Sequence, residues 1–372
     1  MTRVFVPTGV YPPDIGGPAT YVPMLEKYLP ANGFSVSVLP FHVVRHLPQG
    51  IAHVAYFFRS LKMTRRADIV YAQDAISVGW PAYLAALIMR KPFVVKIVGD
   101  HVWEQGRQRF GVTQELDAFP FWPTHPYLIF LRLLQQMVVR SARTIIVPSV
   151  YLKNVVSRWG ISPERISVVY NGIEIPVPTT SPTTSIEHPL IVSIGRLVSW
   201  KGFEGVIDAM KNESWHLVIV GDGPLRASLE SHAHAMSDLR SRSLGGRVHF
   251  MGLLPRPELH GWLKIADVFV SNSTYEGLPH TLIEAMSLGT PVIATNIAGN
   301  REVMTDGKEG LLVPTGNGTA LHDAIKKTLS DSETKRRVVA AQERARAFSV
   351  EETINGLARV LKTICPVSRI SA

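Results

Sequence analysis

Residues 267–295 read Asp267-Val-Phe-Val-Ser-Asn-Ser-Thr-Tyr-Glu276-Gly-Leu-Pro-His-Thr-Leu-Ile-Glu284-Ala-Met-Ser-Leu-Gly-Thr-Pro-Val-Ile-Ala-Thr. The short apolar run 268–270 predicts a buried strand, and residues 271–275 its exit loop. Pro279 suits the first turn of a helix, where a missing N–H costs nothing. Leu282, Ile283 and Met286 then recur at helical spacing, and Gly289 with Pro291 ends the helix. Strand, loop and helix start in this order place backbone N–H groups where an open α/β sheet meets a phosphate. Glu276 falls on the loop and Glu284 inside the helix, so the two carboxylates do not stack on one helical face. The plain reading makes them partners of the helix dipole; the sharper one has them reach into one crevice from different heights.

The flanking segments repeat the strand–loop–helix rhythm. Residues 190–202 run from an apolar strand into Gly195-Arg196, and Lys201 follows five residues later. Two fixed cations beside a helix start suit a leaving group on which negative charge builds. Residues 215–220 form another strand, followed by Gly221-Asp-Gly223-Pro-Leu-Arg226. A dinucleotide fingerprint is excluded there, because Arg226 stands where its third Gly belongs and Pro224 intrudes. Residues 249–254 are a further short strand, and residues 300–302 and 306–313 are expected to complete the sheet. His232 and His234 have no Cys or carboxylate constellation near them in sequence and read as surface residues, not a metal site. Helices are expected over 321–329, 338–348 and 351–364.

The first half has the same rhythm. A strand over 3–7 leads into Gly16-Gly17, a helix over 21–29 and a strand over 35–39, as in a nucleotide-binding half-domain. Residues 51–66 predict a helix with Tyr56, Phe57, Phe58 and four basic residues. It is either a surface helix with one buried face or an interfacial helix drawn to anionic lipid. Residues 69–72 and 93–98 are strands, and 80–89 a helix between them. The stretch 118–143 is strongly apolar from 127 to 139; a buried crossover helix is expected there over a membrane-dipping element. A strand over 144–149 and Asn171-Gly172 close the half. The Thr-, Ser- and Pro-rich stretch 176–189 reads as a linker.

Bulk numbers bound the possibilities. A length of 372 residues suggests roughly two domains, and an apolar share of 46% suffices for two cores. The single cysteine, Cys365, rules out an internal disulfide framework and suits a reducing cytosol. The first residues lack the regions of a signal peptide. No uncharged apolar run reaches the roughly 18 residues of a membrane span; the longest candidate, 75–89, contains Gly79 and Pro81. The expected location is cytoplasmic, peripheral at the inner face of the membrane. The net charge of +9 lies in one half: residues 1–172 hold 18 Lys+Arg against 9 Asp+Glu, while 173–372 hold 21 of each. Such asymmetry suggests that the first half faces an anionic partner. The basic residues are scattered and match no reader motif, so nucleic acid ranks far below a membrane surface.

Together these segments resemble glycosyltransferase family four, a group of retaining, nucleotide-sugar-dependent enzymes. The resemblance is carried by Glu276 and Glu284 with seven residues between them, by Glu-Gly-Leu-Pro and Gly-Thr-Pro-Val-Ile-Ala, and by Gly195-Arg196-Leu through Lys201-Gly202. It covers nearly the whole chain and is densest over 195–310. It implies an α/β chain of GT-B architecture, two Rossmann-like domains facing across a cleft. Residues 1–172 would be the acceptor side, 173–189 the linker, 190–348 the nucleotide-sugar domain, and 349–372 a helix returning to the first domain. Glu284 would hold the ribose hydroxyls and Glu276 the donor sugar. Backbone N–H groups of Gly277, Leu278, His280 and Thr281, with Pro279 between them, would meet the sugar and phosphate. Arg196 and Lys201 would neutralise the departing diphosphate.

By the same resemblance Gly221 and Gly223 lie near the nucleotide, Leu253 and Leu254 against the base, and Gly16 and Gly17 near the donor phosphate or the acceptor. Relatives place a His at the end of the strand over 93–98; Gly99-Asp100-His101 stands there, so Asp100 and His101 are assigned to the site jointly. No Asp-x-Asp pair occurs, and no metal or other cofactor is expected. The expected partners are a nucleotide diphosphate sugar, a saccharide or lipid-linked acceptor, and an anionic membrane surface. A nucleotide-sugar epimerase on the same fold is the competing enzyme; it would require general acid/base carboxylates and turn over donor without an acceptor.

Overall fold

The computed structural model describes residues 1–14, 17–174, 182, 184–235 and 246–365. The chain divides into two units: residues 1–172 joined by the segment that starts at Val350, and Ile173–Ser349. The first unit runs β1 (Thr2–Thr8), α1 (Gly17–Tyr28), β2 (Phe34–Pro40), α2 (Gln49–Thr64), β3 (Ile69–Ala72), α3 (Gly79–Ile88), β4 (Phe93–Lys96), α4 (His101–Arg109), α5 (Pro126–Ser141), β5 (Thr144–Val147), α6 (Val150–Ser157) and β6 (Ile166–Val168). The second runs β7 (Leu190–Ile194), α7 (Phe203–Asp208), β8 (His216–Val220), α8 (Arg226–Ala235), β9 (Val248–Gly252), α9 (Arg256–Ile265), β10 (Val268–Ser271), α10 (His280–Leu288), β11 (Val292–Thr295), α11 (Ala298–Val303), β12 (Leu311–Val313), α12 (Gly318–Ser330) and α13 (Thr334–Ala345). α14 (Val350–Ile364) belongs to the first unit.

Each unit is a six-stranded parallel sheet, in the orders β2-β1-β3-β4-β5-β6 and β12-β11-β10-β7-β8-β9. Strands such as β3 and β11 are buried along their whole length, as expected where helices cover both faces of a parallel sheet. In such sheets ligands bind beyond the carboxyl ends of the strands, at the point where the strand order reverses. That point lies between β1 and β3 in the first unit and between β7 and β10 in the second.

Most predicted elements appear within a turn of their expected places, and two differ. β4 ends at Lys96, not at residue 98: Ile97 N still donates to Ile146 O at 2.9 Å, but Val98 has turned outward. Residues 300–302 lie in α11, leaving β12 alone to finish the sheet. Of the linker expected over 173–189, residues 173–174, 182 and 184–189 are described. Its described ends are anchored: Ile173 N donates to Phe348 O at 2.9 Å, and Asp267 Oδ2 accepts from Leu190 N and meets His188 Nδ1, both at 2.6 Å. Among the described residues no helix is long and apolar enough to cross a membrane.

The first unit's core depends on the far end of the chain. In α14, Ile354, Leu357, Ala358, Leu361 and Ile364 recur at helical spacing and pack against Tyr21, Val22 and Leu25 of α1. Thr353 Oγ1 donates to Tyr170 O at 2.7 Å. Leu357 is fully buried, so Leu357→Ala is expected to destabilise the protein by about 2–5 kcal/mol. Urea denaturation checks this; an unchanged midpoint would mean that α14 is not part of this core.

Candidate active site

In the second unit the loops that leave β7 and β10 meet at the reversal of strand order. Lys201 Nζ donates to Glu276 Oε1 at 2.5 Å, and Ser273 Oγ donates to the same oxygen at 2.7 Å. One main-chain and one side-chain hydrogen bond hold the two loops in register: Thr274 N donates to Trp200 O and Asn272 Nδ2 to Gly202 O, both at 2.8 Å. Thr295 Oγ1, at the end of β11, donates to Ser273 O, and Asn300 Nδ2 donates to Thr295 O at 2.9 Å. The Glu276 loop is therefore braced from two neighbouring strands. Behind it, a Cβ on Gly299 would stand 2.1 Å from Glu276 O; the first turn of α11 can come this close only as glycine.

The sequence signals placed Lys201 and Glu276 on separate tasks, and the structure joins them. Both side chains remain partly open, at 22% and 12% exposure, so a ligand can reach the pair and compete for the ammonium. Arg196 is exposed on the same β7 loop. Gly221, with φ of 139°, and Gly223 brace that loop from below. A Cβ on Gly221 would lie 1.9 Å from Gly195 O, and Leu197 N donates to Asp222 O at 3.0 Å. Their contacts in this structure are thus with the Gly195–Leu197 backbone. Gly277 and Leu278 follow Glu276, and Pro279 precedes α10 without offering a side-chain cap. The first-turn amides at His280 and Thr281 thus begin a helix whose dipole favours an anion.

Glu284 has its own cation. It is buried, at 7% side-chain exposure, and its Oε1 pairs with Arg256 Nη2. His260 Nε2 lies 3.7 Å from the same oxygen, beyond hydrogen-bonding distance, and makes no hydrogen bond elsewhere. Burial alone would raise the Glu284 carboxyl, but His260 and the Arg256 guanidinium outweigh it and hold the group below its usual range. Arg256 and His260 escaped the sequence reading. They are one turn apart on α9 and so share a face, but nothing in the sequence connects that face to Glu284. Leu253 is exposed and Leu254 half-buried in the loop between β9 and α9.

In the first unit the structure separates the two residues that had been assigned jointly. Asp100 caps α4: its Oδ1 accepts from Val102 N at 3.0 Å and Trp103 N at 3.2 Å. Its Oδ2 pairs with Arg132 Nη2 at 2.9 Å, and the side chains are 2% and 1% exposed. With both oxygens committed, the Asp100 carboxylate is held between the α4 start and Arg132. His101 instead lines a cavity of about 90 Å³ with Gln73, Asp74, Glu104 and Lys96. Burial lowers the His101 pKa, opposed by Asp74 and Asp100. Lys96 was missed because it ends an apolar strand. It is fully buried, donates to Asn171 Oδ1 at 2.5 Å and lies 2.8 Å from the centre of the Tyr21 ring. Burial pushes its pKa well down. Gly17 starts α1, while Gly16 lies outside the described residues.

His232 does have a carboxylate partner, Asp208, at 3.1 Å. Among the described residues no group of three or more His, Cys, Asp or Glu side chains is placed to hold a metal ion.

Two outcomes follow from these geometries. Asp100→Ala would strand the buried Arg132 charge and is expected to destabilise by about 3–5 kcal/mol; a variant as stable as the parent in urea, deficient only in activity, would give Asp100 a part in the site. Glu284 has a depressed folded-state pKa, so its contribution to stability is complete above the ordinary value of 4.5 and is lost as pH falls through the depressed one. The stability gap between the parent and Glu284→Gln should therefore narrow below about pH 4.5. A gap that stays constant down to pH 3 would mean that the carboxyl is not depressed.

Known proteins resemble the chain in sequence and fold. The family described as Glycosyl transferases group 1 matches residues 182–345, and that described as Glycosyltransferase Family 4 matches residues 15–175. The lipopolysaccharide core biosynthesis glycosyltransferase LpsE of Rhizobium meliloti is 33% identical over 156 residues, 42% of this chain and 44% of LpsE. The chain thus matches less than half the length of that relative. The structure of Anabaena HepE in complex with UDP and glucose aligns with a TM-score of 0.75 at 19% identity, over 98% of this chain and 100% of HepE. The sucrose-phosphate synthase of Thermosynechococcus elongatus aligns with a TM-score of 0.77 at 19% identity, over 98% and 99% of the two chains. These likenesses establish the fold class, α/β of the GT-B type. With one family on each sheet, the chain belongs to the group 1, family 4 glycosyltransferases.

Proposed function

We propose that the protein is a retaining glycosyltransferase that moves a hexose-type sugar from a nucleotide diphosphate sugar to a saccharide or lipid-linked acceptor of the cell envelope or an exopolysaccharide. The observation that carries this reading is the Lys201–Glu276 pair at the reversal point of the second sheet, with α10 starting just beyond it. Relatives add support: HepE was solved with UDP and glucose, and LpsE is named for lipopolysaccharide core biosynthesis.

In this reading the donor's ribose hydroxyls engage Glu284, and the base lies toward Leu253 and Leu254. Glu276 takes hydroxyls of the transferred sugar, and the diphosphate faces the α10 start. The bond from the anomeric carbon to the diphosphate oxygen breaks, leaving its electron pair on that oxygen. Lys201 exchanges part of its contact with Glu276 for this growing charge, and Arg196 joins it, so two cations neutralise the leaving group in place of a metal. The acceptor hydroxyl attacks from the face that the diphosphate leaves and passes its proton to a phosphate oxygen, which retains configuration. Gly16 and Gly17 are assigned to the donor phosphate or the acceptor, and His101 to the neighbourhood of the donor sugar.

Membrane contact is part of the same proposal. α2 exposes Ile51, Val54 and Phe58, with Arg59, Lys62, Arg65 and Arg66 also exposed along and just beyond it. Apolar insertion beside basic residues is the chemistry of a peripheral contact with anionic lipid.

Thermal unfolding with UDP-, GDP-, ADP- and dTDP-sugars in EDTA tests the donor assignment. One nucleotide should raise the melting temperature, since ligand at about 100 times its Kd adds roughly 2.7 kcal/mol; no shift with any of them would count against a metal-free donor site. Glu276→Ala and Lys201→Ala should each lower transfer by about a hundredfold or more while remaining folded. Full activity in either folded variant would remove the site assignment.

A further inference from the structure

Glu284 has two neighbours able to compensate its charge, and it uses one. Arg256 Nη2 pairs with Oε1, while His260 Nε2 stands 3.7 Å from the same oxygen. The two partners differ in freedom. Arg256, the first residue of α9, has a side chain 42% exposed; that of His260, one turn on, is 9% exposed. His260 Nε2 is buried and has no hydrogen-bond partner. A buried nitrogen left unsatisfied is costly, so its place beside a carboxylate calls for a reason.

The reason lies in Glu284 itself. Its side chain is 7% exposed, and a buried carboxylate that loses its cation is strongly destabilised. Arg256 follows the loop of Leu253 and Leu254 and is open to solvent, so an anionic ligand arriving there competes for its guanidinium. His260 would then need to close by less than about 1 Å to hydrogen-bond Oε1. The nearby carboxylate favours the imidazole tautomer with its proton on Nε2. The end of α9 gives the ring a fixed footing. Lys264 Nζ donates to Leu288 O at 3.0 Å, and Thr290 Oγ1 donates to Leu263 O at 2.7 Å, which ties α9 to the end of α10.

We propose that His260 is a positioning residue that takes over Glu284 Oε1 when Arg256 turns to a bound nucleotide, so that the ribose meets a carboxylate that stays in place. The ligand in this inference rests on the donor reading given above; the hand-over rests on the three side chains alone.

Two measurements keep these apart. The first is a double-mutant cycle of Arg256→Ala and His260→Leu, on the full chain without ligand, in urea. Each single variant leaves Glu284 one partner and the double variant leaves none, so the double loss should exceed the sum of the single losses. Additive losses overturn the proposal, whether or not any nucleotide binds. The second is steady-state kinetics with the nucleotide sugar that raises the parent's melting temperature. His260→Leu should raise KM about tenfold with kcat within about twofold of the parent, and His260→Gln, which returns an N–H donor, should recover most of the loss. An unchanged KM in His260→Leu overturns the proposal, as does a His260→Gln variant no better than His260→Leu. Excess loss in the cycle, in a protein that no nucleotide stabilises, would uphold His260 as the second partner of Glu284 and count against the donor reading alone.

Discussion

Two loops leave the carboxyl edge of the second sheet so close together that main chain touches main chain, and the rest of the candidate site depends on that closeness. Gly221 lies under Gly195 with no room for a methyl group, and Gly299 does the same beneath Glu276. The Glu276 carbonyl and the Gly195–Leu197 backbone are thereby fixed from behind. Lys201 and Ser273 then meet at one oxygen of Glu276. An ion pair that is partly open to solvent adds little stability. Its value here is positional: an ammonium and a carboxylate kept within reach of a ligand at the one edge where an open parallel sheet gathers its loops.

The two glutamates illustrate how far a sequence pattern carries. The strand over 268–270, the helix after Pro279 and its end at Gly289 were legible because each is written locally, in apolar periodicity and in residues that suit helix ends. The paired cations of the β7 loop were legible for the same reason. What each glutamate touches was not. Lys201 is 75 residues from Glu276 and Arg256 is 28 from Glu284, and no periodicity encodes a partner at such separations. Asp100 carries a local signal beside the motif expectation: an aspartate directly ahead of a helix suits a cap, and Arg132 on α5 occupies its other oxygen.

Lys96 marks a further limit. A lysine at the end of Phe-Val-Val reads as the point where a strand reaches water, yet it is buried against the Tyr21 ring and Asn171. A side chain so placed is held in a state that water would not favour. The first unit's excess of basic residues is thus of two kinds: surface charges, as on α2, and interior ones such as Lys96 and Arg132, which hold Asn171 and Asp100. A charge count treats them alike; only packing distinguishes them.

The position of α14 in the first unit's core has a consequence for the order of events at the ribosome. The second unit is one uninterrupted stretch, Ile173–Ser349, whereas the first is split, and its Tyr170–Thr353 hydrogen bond spans 183 residues. Domains fold as units while the chain emerges. The half that is synthesised first must therefore wait, with the α1 surface around Val22 and Leu25 uncovered, until α14 has left the exit tunnel. The half made second can be complete by then. For this chain the N-terminal unit is the last to finish, and its waiting surface is the one for which protection during synthesis matters most.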